Sequence, residues 1–461
     1  MAKEKFRIAA DSMGEMRIPA DMLHGASTQR AVLNFPVSGR RFPRVFIYAI
    51  AQIKASAARA NLKLGRLKAK EAGAIIAAAE AVRDGRYDGH FPLDIFQTGS
   101  GTSTNMNANE VIANVATKKL GAKGKVHPND HVNKGQSSND VIPTAIHVSV
   151  VIEVKRSLIP ALEALAATLE KKAKQYSKVN KIGRTHLQDA TPIFLGQEFA
   201  GWASQVRHGI KRLEQGIGAL RELPIGGTAV GTGINTHPRF AAEVCADLNR
   251  HLKEKFFEAE NHFEAQSAKD ACVEMSGDLR TVAVSLTKVA NDIRWMGCGP
   301  RAGFAELKVP PVQPGSSIMP GKINPVIAES LLQVCAEVVG NDAAVAWAGA
   351  SGSFELNVMM PVIAWNLLES SRLLANAVNM FESKCVRGIE ADVQVCEGQI
   401  EKSLMLCTAL VPILGYDMSA KLAKEAYQKG LTIRQIVLEK KLVDEVTLTK
   451  VLNAKNMSSG D

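Results

Sequence analysis

The sequence predicts a mainly α-helical protein organised around a bundle of long helices. Aromatic residues make up only 5% of the 461 residues while alanine is abundant, and this composition suits closely packed helices more than sheets. Apolar residues recur at helical spacing over several long stretches, namely a segment that begins at residue 137 and residues 192–222, 262–297, 324–350 and 354–381. Helices of about 30 residues span roughly 45 Å, which favours an extended bundle and subunit association.

One of these stretches has the apolar pattern of a bundle helix. Between residues 262 and 297, apolar side chains follow one another at steps of three and four, at Leu279, Val282, Leu286, Ala290 and Ile293. Such a narrow seam is typical of helices that pack together in a bundle. Further helices are predicted at residues 44–62 and 105–120, and shorter ones after residue 386.

Composition and charge exclude several classes of function. The seven cysteines are spread from Cys245 to Cys407 without a CxxC pair, so we expect free thiols in a reducing compartment. The first residues lack the apolar core of a secretory signal, and no apolar run reaches transmembrane length, which predicts a cytoplasmic protein. The net charge of +10 comes from scattered basic residues, which disfavours nucleic-acid binding and favours small anions.

The most informative stretch is Gly315–Pro325, which reads Gly-Ser-Ser-Ile-Met-Pro-Gly-Lys-Ile-Asn-Pro. It combines two hydroxyls, an ammonium and an amide with glycines that allow close backbone approach and prolines that stiffen the chain. Helical spacing begins after Asn324, a common N-cap residue, so the loop leads into a helix N-terminus, which favours anions. We expect a carboxylate or phosphate site with Lys322 beside a serine, and the alternative is a purely structural loop with a capped helix.

Three further polar segments begin or end predicted helices. Phe96–Asn105, a loop rich in Gly, Ser and Thr, precedes one helix and offers a second anion site, for which a simple capping turn is the alternative. Residues 137–139 are N-cap types at the start of the long segment. Gly183–Gln188 contains His186, whose side chain titrates in the range needed for proton transfer near neutrality, whereas a lone histidine is more often structural.

Other familiar sites are disfavoured by spacing. Gly315–Lys322 is not a P-loop, because five residues separate its glycines and no Ser or Thr follows the lysine. Gly226–Gly233 lacks a preceding strand and the spacing of a dinucleotide loop, which predicts a tight interhelical turn. His127 and His131 are four positions apart, but Pro128 disfavours a helix there and no further Cys or His lies nearby, so we predict no metal site.

Taken as a set, the loops offer hydroxyls, amides, one lysine and one histidine, which suits an acidic substrate undergoing proton transfer. The sequence resembles the fumarase/aspartase superfamily and, within it, the class II fumarate hydratases. Gly315–Pro325 is similar to the superfamily signature, and the resemblance extends from Ser12-Met-Gly14 to Gly415-Tyr-Asp417. The other similar blocks are residues 99–102, 127–130, 137–140, 183–190, 261–265, 290–295 and 349–357.

The resemblance implies an almost entirely α-helical fold with three domains. Residues 1–135 would hold short helices and loops, residues 136–385 the central bundle of long helices, and residues 386–461 a small helical domain. Four subunits would pack their bundles into a twenty-helix core. Each active site would then be assembled from loops of three subunits, which would explain why the polar loops lie so far apart in sequence.

The resemblance also implies the reaction, which is the reversible anti addition of water to fumarate to give L-malate through an aci-carboxylate, without a cofactor. We assign Ser316 as the base, stabilised when deprotonated by loop amides and Lys322. His186 would act on the water or hydroxyl, with Glu329 orienting it and raising its pKa. The implied substrate-binding residues are Ser100, Thr102, Ser137, Ser138, Asn139, Thr185, Ser317, Lys322 and Asn324.

Related families differ at identifiable positions. Aspartase-like sequences usually carry Gln where His186 stands and Ser-Thr-Asn at residues 137–139, and they often have Ala at Gly321. Argininosuccinate and adenylosuccinate lyases share the 315–325 signature only loosely. An alternative of a different class is a structural protein recruited from this superfamily, as in some eye-lens crystallins, and the intact catalytic side chains disfavour it.

A second dicarboxylate site is implied near the polar linker, at His127, Asn129 and Asp130. The chain departs from the family pattern in this region, because His131 stands where an acid is common. In addition, Lys123–Lys125 lacks an arginine that the family often has there.

Overall fold

The structure is a computed structural model that describes residues 5–459. Within this range the chain forms eighteen α-helices, which are α1 (Ala26–Asn34), α2 (Arg44–Lys63), α3 (Ala69–Arg83), α4 (Thr102–Leu120), α5 (Ser138–Glu153), α6 (Ile159–Gln175), α7 (Leu195–Leu220), α8 (Phe240–Leu252), α9 (His262–Ser267), α10 (Asp270–Met296), α11 (Val326–Gly349), α12 (Met360–Lys384), α13 (Val393–Gly398), α14 (Val411–Leu414), α15 (Tyr416–Lys429), α16 (Ile433–Glu439), α17 (Glu445–Val451) and α18 (Ala454–Ser459). The predicted mainly α-helical fold class is confirmed.

Short strands accompany the helices in five two-stranded sheets within the same residues. The strands are β1 (Phe6–Asp11), β2 (Gly14–Pro19), β3 (Asn180–Thr185), β4 (Gln188–Phe194), β5 (Glu222–Leu223), β6 (Phe257–Glu258), β7 (Leu307–Lys308), β8 (Gly352–Ser353), β9 (Leu356–Asn357) and β10 (Glu390–Ala391). β1 pairs with β2, β3 with β4, β7 with β10 and β8 with β9 in antiparallel fashion, whereas β5 and β6 are parallel. The sequence pattern did not predict these strands, because most are only two residues long.

Two of the long predicted helices are interrupted. The segment 262–297 is divided into α9 and α10, because Ala268 has an extended backbone with φ −78° and ψ 154°. The segment after residue 137 runs as α5, a π-helical turn at Val154–Leu158, and α6. This turn lies just before Pro160, which has no N–H to continue a regular ladder of hydrogen bonds.

Two compact units divide the chain. The first unit comprises Met1–Pro160, Lys211–Ala283 and Ala336–Ala375, and the second comprises Ala161–Ile210, Val284–Cys335 and Asn376–Asp461. The unit boundaries fall within or beside long helices, so each unit is built from parts of them. The division into three domains at residues 135 and 385 stays a prediction.

The core of the first unit is centred on α2, which packs against α3, α5 and α8. Its apolar side chains Phe46, Ile50 and Ile53 are fully buried. Burial of such side chains stabilises the fold by roughly 1.5–3 kcal/mol each. Lys54 shares this buried helix, although a charged side chain is normally exposed, and its partners are described below.

The second unit has its own apolar cluster, in which the β3–β4 hairpin packs on the C-terminal helices. Ile182 of β3 is buried together with Leu406, Leu410, Leu422 and Ile436. This packing gives the hairpin a rigid base, so the short connection between its strands is held at a defined position. Among the described residues, no helix is both long and apolar enough to cross a lipid bilayer.

Candidate active site

The predicted anion loop is a closed loop in the second unit. The Gly315 amide donates to the Lys322 carbonyl oxygen at 2.8 Å, and the Asn324 side-chain amide donates to the Gly315 carbonyl. A Cβ at Gly315 would lie 2.5 Å from the Lys322 carbonyl oxygen, so the two ends meet only because residue 315 is glycine. We predicted Asn324 as an N-cap, but its side chain instead closes the loop, and α11 begins at Val326.

The Ser316 hydroxyl is held by two backbone N–H groups of its own loop. Its Oγ accepts from the backbone N–H groups of Ile318 at 3.2 Å and Met319 at 2.9 Å, and the residue is half-buried. Two N–H donors aimed at one oxygen favour its deprotonated form. Ser317 is exposed, and its hydroxyl has no hydrogen bond within residues 5–459.

The charged residues of this loop region are open to solvent. Lys322 is exposed and has no ion-pair partner in the described part of the chain, so its ammonium is available to an anion. Glu329 is partly exposed on the first turn of α11. Within residues 5–459 no hydrogen bond joins Glu329 to His186, and the pairing of these two side chains stays a prediction.

His186 occupies the two-residue connection of the β3–β4 hairpin. Thr185 pairs with Gln188 across the hairpin, and His186 and Leu187 between them have φ angles of 56° and 59°. Two-residue hairpin loops of this kind require positive φ at both central residues and are normally made with Gly or Asn. Two bulky residues in this conformation strain the backbone, and such strain is typical of functional sites. The imidazole of His186 is exposed.

A buried ion cluster lies at the base of this hairpin. Arg184 donates from Nη1 to both carboxylate oxygens of Glu306, at 2.9 and 3.0 Å, and its guanidinium stacks over the Phe304 ring at 4.3 Å. The Lys181 ammonium lies 3.4 Å from Glu306 and 3.0 Å from Glu198. Glu306 is fully buried and Lys181 nearly so, which makes their charges strongly dependent on one another.

In the first unit, residues 97–104 form the second polar loop. The Oγ atoms of Ser100 and Thr102 are hydrogen-bonded at 2.7 Å, and Thr102 is the first residue of α4. A Cβ at Gly99 would lie 1.8 Å from the Val358 carbonyl oxygen, so residue 99 can approach the backbone of Val358 this closely only because it is glycine. Gln97 Oε1 accepts from the Thr104 backbone N–H at 3.0 Å, an ordering contact that the sequence did not reveal.

Ser137 is the N-cap of α5, as predicted. Its backbone N–H donates to Asp140 Oδ1 at 2.9 Å, and together they form a capping box. The other oxygen of Asp140 accepts from the Gly226 and Thr228 N–H groups, both at 3.0 Å. Burial raises the pKa of Asp140, while these three N–H donors lower it. Asp140 therefore ties the start of α5 to the predicted interhelical turn.

The neighbours of Ser137 are held by similar contacts. Ser138 is buried, and its Oγ accepts from Asn105 Nδ2 at 3.0 Å. Asn139 donates from its side chain to the Ala229 carbonyl at 2.8 Å. The first unit therefore brings the 137–139 segment together with α4 and with the 226–229 turn.

The residues of the predicted second dicarboxylate site form a tight turn. His127 Nδ1 accepts from the backbone N–H groups of Asn129 at 3.3 Å and Asp130 at 3.1 Å, and the π-helical turn Pro128–Val132 follows. His127 and Asp130 are exposed. The same ring nitrogen lies 3.2 Å from Asp130 Oδ2, so the side chains of the turn contact one another. Among the described residues no group of three His, Cys, Asp or Glu side chains is arranged to hold a metal ion.

The candidate residues are thus distributed over both units. The first unit holds the predicted binding residues Ser100, Thr102, Ser137, Ser138 and Asn139 together with His127, Asn129 and Asp130. The second unit holds Thr185, His186, Ser316, Ser317, Lys322, Asn324 and Glu329. Their roles stay predictions. Sequence reasoning missed the supporting residues Lys54, Asn105 and Glu306. For Lys54 a signal was present, because it is a polar residue inside the apolar pattern of α2.

Two family models together match most of the chain. A model described as Lyase matches residues 14–340, and a model described as Fumarase C C-terminus matches residues 406–459. The curated relatives include the class II fumarate hydratase of Corynebacterium glutamicum, 52% identical over 451 residues that cover 98% of this chain and 95% of that protein. The class II fumarate hydratase of Mycobacterium tuberculosis is 51% identical over 443 residues, which cover 95% of this chain and 92% of that protein.

Solved structures agree with this chain over nearly its full length. The class II fumarase from Schistosoma mansoni superposes with a TM-score of 0.97 at 38% identity, covering 98% of this chain and 99% of the other. A fumarate lyase:delta crystallin from Brucella melitensis gives a TM-score of 0.94 at 43% identity, covering 98% and 100%.

Proposed function

The chain belongs to the class II fumarate hydratases, and we propose that it catalyses the reversible hydration of fumarate to L-malate by anti addition of water. The observation that carries the proposal is the environment of Ser316, whose Oγ accepts two backbone N–H bonds in a loop that also presents the exposed Lys322. A positioned oxygen base and a nearby cation are what abstraction of a proton beside a carboxylate needs.

In the malate direction, the Ser316 alkoxide takes the C3 proton, and the electron pair moves onto the adjacent carboxylate to give the aci-carboxylate. The substrate itself is the electron sink, so this chemistry needs no cofactor. Collapse of the aci-carboxylate forms the double bond and expels the C2 hydroxyl, which takes a proton and leaves as water. His186, exposed on its strained turn, serves this water side, with Glu329 as its orienting carboxylate.

The two substrate carboxylates bind to hydroxyls, amides and one ammonium. Lys322 supplies the positive charge, and the helix N-termini at residues 102 and 138 supply oriented N–H groups. The hydroxyl and amide ligands are Ser100, Thr102, Ser137, Ser138, Asn139, Thr185, Ser317 and Asn324. His127, Asn129 and Asp130 form a second dicarboxylate site in this proposal, because their turn is exposed and rich in polar atoms.

The assay that tests this function follows fumarate absorbance after L-malate is added to EDTA-treated protein, with ammonia release from L-aspartate measured beside it. We expect fumarate to accumulate and aspartate to be inert. A better rate with aspartate would contradict the proposal, and no turnover of either substrate would favour a structural role.

We propose further that the active protein is a homotetramer with sites shared between subunits. The long helices expose large apolar side chains, with Val284 58%, Val339 44% and Trp347 76% accessible, and these are suited to burial against other copies. No hydrogen bond joins His186 to Glu329 within the described residues, and in this proposal their pairing is made between subunits. The seven free cysteines also suit the reducing cytoplasm, which we propose as the location.

Light scattering at assay concentration is expected to give about four times the 49.6 kDa chain mass. Dilution that dissociates the assembly is expected to abolish turnover, because in this proposal each site needs residues from more than one subunit. A monomer with full activity would contradict the shared-site proposal, while leaving the reaction itself in place.

A further inference from the structure

Lys54 is a buried lysine that the reaction does not use directly. It lies in α2 of the first unit, its side chain is fully buried, and its ammonium donates to Asn133 Oδ1 at 2.8 Å and to Gln136 Oε1 at 3.0 Å. Both acceptors belong to the segment that leads into Ser137 and α5. A lysine placed in an apolar core at such cost calls for a specific role.

These contacts determine which way both amides point. A lysine ammonium has only donors, so each amide presents its oxygen to Lys54 and turns its nitrogen away. The Asn133 nitrogen donates to the Gln136 carbonyl at 3.1 Å, and the Gln136 nitrogen donates to the carbonyls of Val132 and Lys134 at 3.1 and 3.2 Å. Lys54 therefore holds the backbone of residues 132–136 in one conformation.

The network continues to a predicted substrate ligand. Asn133 Oδ1 also accepts from Asn105 Nδ2 at 3.3 Å, and the same Asn105 nitrogen donates to Ser138 Oγ at 3.0 Å. Because Ser138 Oγ is an acceptor in this contact, its own proton remains available to another group. Within residues 5–459 no hydrogen bond is donated by Ser138 Oγ, so its proton can be donated to a carboxylate oxygen of a ligand.

We propose that Lys54 is a positioning residue for substrate binding, which acts through Asn133 and Asn105 to hold the Ser138 hydroxyl as a donor to a substrate carboxylate. The inference rests on the proposed function, in which Ser138 binds the dicarboxylate. Lys54 itself touches neither the substrate nor the reacting atoms.

The network does not depend on whether Lys54 is charged. Burial lowers the pKa of Lys54 to about 7, while the nearby Asp140 carboxylate raises it. A neutral amine keeps two N–H donors, which is the number that the Asn133 and Gln136 oxygens require. The orientation of both amides therefore persists across neutral pH.

The test compares two variants in which a buried polar residue of α2 is replaced by methionine. Lys54→Met removes the donors and keeps an unbranched chain, whereas Gln52→Met replaces a buried residue whose side chain contacts Ser56 and Arg83 instead. We expect Lys54→Met to lower kcat/KM for L-malate about 10–100-fold, mainly by raising KM, because one oriented bond to a carboxylate is lost. Lys54→Gln, which restores an N–H donor, is expected to recover part of the loss, and Gln52→Met is expected to keep the KM.

A second measurement does not require activity. Backbone hydrogen exchange of residues 132–140 is expected to be faster in Lys54→Met than in the wild-type protein and unchanged in Gln52→Met. Should Lys54→Met not fold, Asn105→Leu removes the last bond to Ser138 without leaving a buried charge, and the same rise in KM is expected.

The outcomes separate the two proposals. If the wild-type protein does not turn over L-malate, the proposed function fails, and the exchange comparison still decides whether Lys54 holds this segment. If the wild-type protein is active but Lys54→Met has unchanged KM and unchanged exchange, the positioning role is refuted. An equal rise in KM in Gln52→Met would also refute it, because general loosening of α2 would then be the cause.

Discussion

Ser316→Ala is expected to lower kcat about 10²–10⁴-fold with little change in KM, because a proton-transfer group acts mainly in the transition state. The proposed role rests on the hydrogen bonds that the Ile318 and Met319 N–H groups donate to its oxygen. The same two donors raise the fraction of this serine that is deprotonated, since they stabilise the negative charge after the proton is lost. Steady-state kinetics with L-malate and fumarate measure the effect.

The matched control is Ser317→Ala in the neighbouring position. Ser317 is exposed and has no hydrogen bond within the described residues, so we expect its loss to change kcat far less and to act, if at all, through KM. A nearly inactive Ser317→Ala beside a normal Ser316→Ala would show that the wrong hydroxyl is assigned. Normal kcat in both variants would place the base outside this loop.

Glu306→Gln is expected to lower the free energy of unfolding by about 3–5 kcal/mol, because it leaves the buried Lys181 and Arg184 with an incomplete set of counter-charges. The substitution keeps the side-chain volume, so a cavity does not contribute. Since the same carboxylate holds the base of the hairpin that carries His186, kcat/KM is expected to fall in the folded fraction as well.

The surface pair Arg207–Glu170 provides the comparison. Arg207 also makes two hydrogen bonds to its carboxylate partner, from Nε at 2.9 Å and from Nη2 at 3.2 Å, but both side chains are about 40% exposed or more. Glu170→Gln is expected to cost at most about 1 kcal/mol, because water screens the pair. Urea unfolding at one fixed protein concentration gives both values. Equal losses in the two variants would contradict the view that burial makes the Glu306 cluster important.

Much of the helical framework could be predicted from local pattern. The spacing of apolar residues placed α2, α4, α7 and α11 to within three residues, whereas α12 begins six residues later than predicted because β9 occupies Leu356–Asn357. The breaks that the spacing missed have local causes, such as the extended backbone at Ala268. The strained hairpin was not visible, because His186 and Leu187 occupy positions where glycine or asparagine is the usual signal. Short strands also carry too few residues to show alternation.

By itself the sequence determined the helical fold class, the polar loops at the helix starts and, through the 315–325 signature, the family, because these depend on neighbouring residues and on the order of residue types. Only the tertiary structure decided which groups support those loops. Arg184 and Glu306 are 122 positions apart, and Lys54 and Asn133 are 79 apart. Burial and hydrogen-bond direction arise from such distant contacts and cannot be predicted from a local pattern. The packing of the chain therefore determines the hydrogen bonding of Ser138 and the pairing of Glu306 with Lys181 and Arg184 at the base of the hairpin that carries His186.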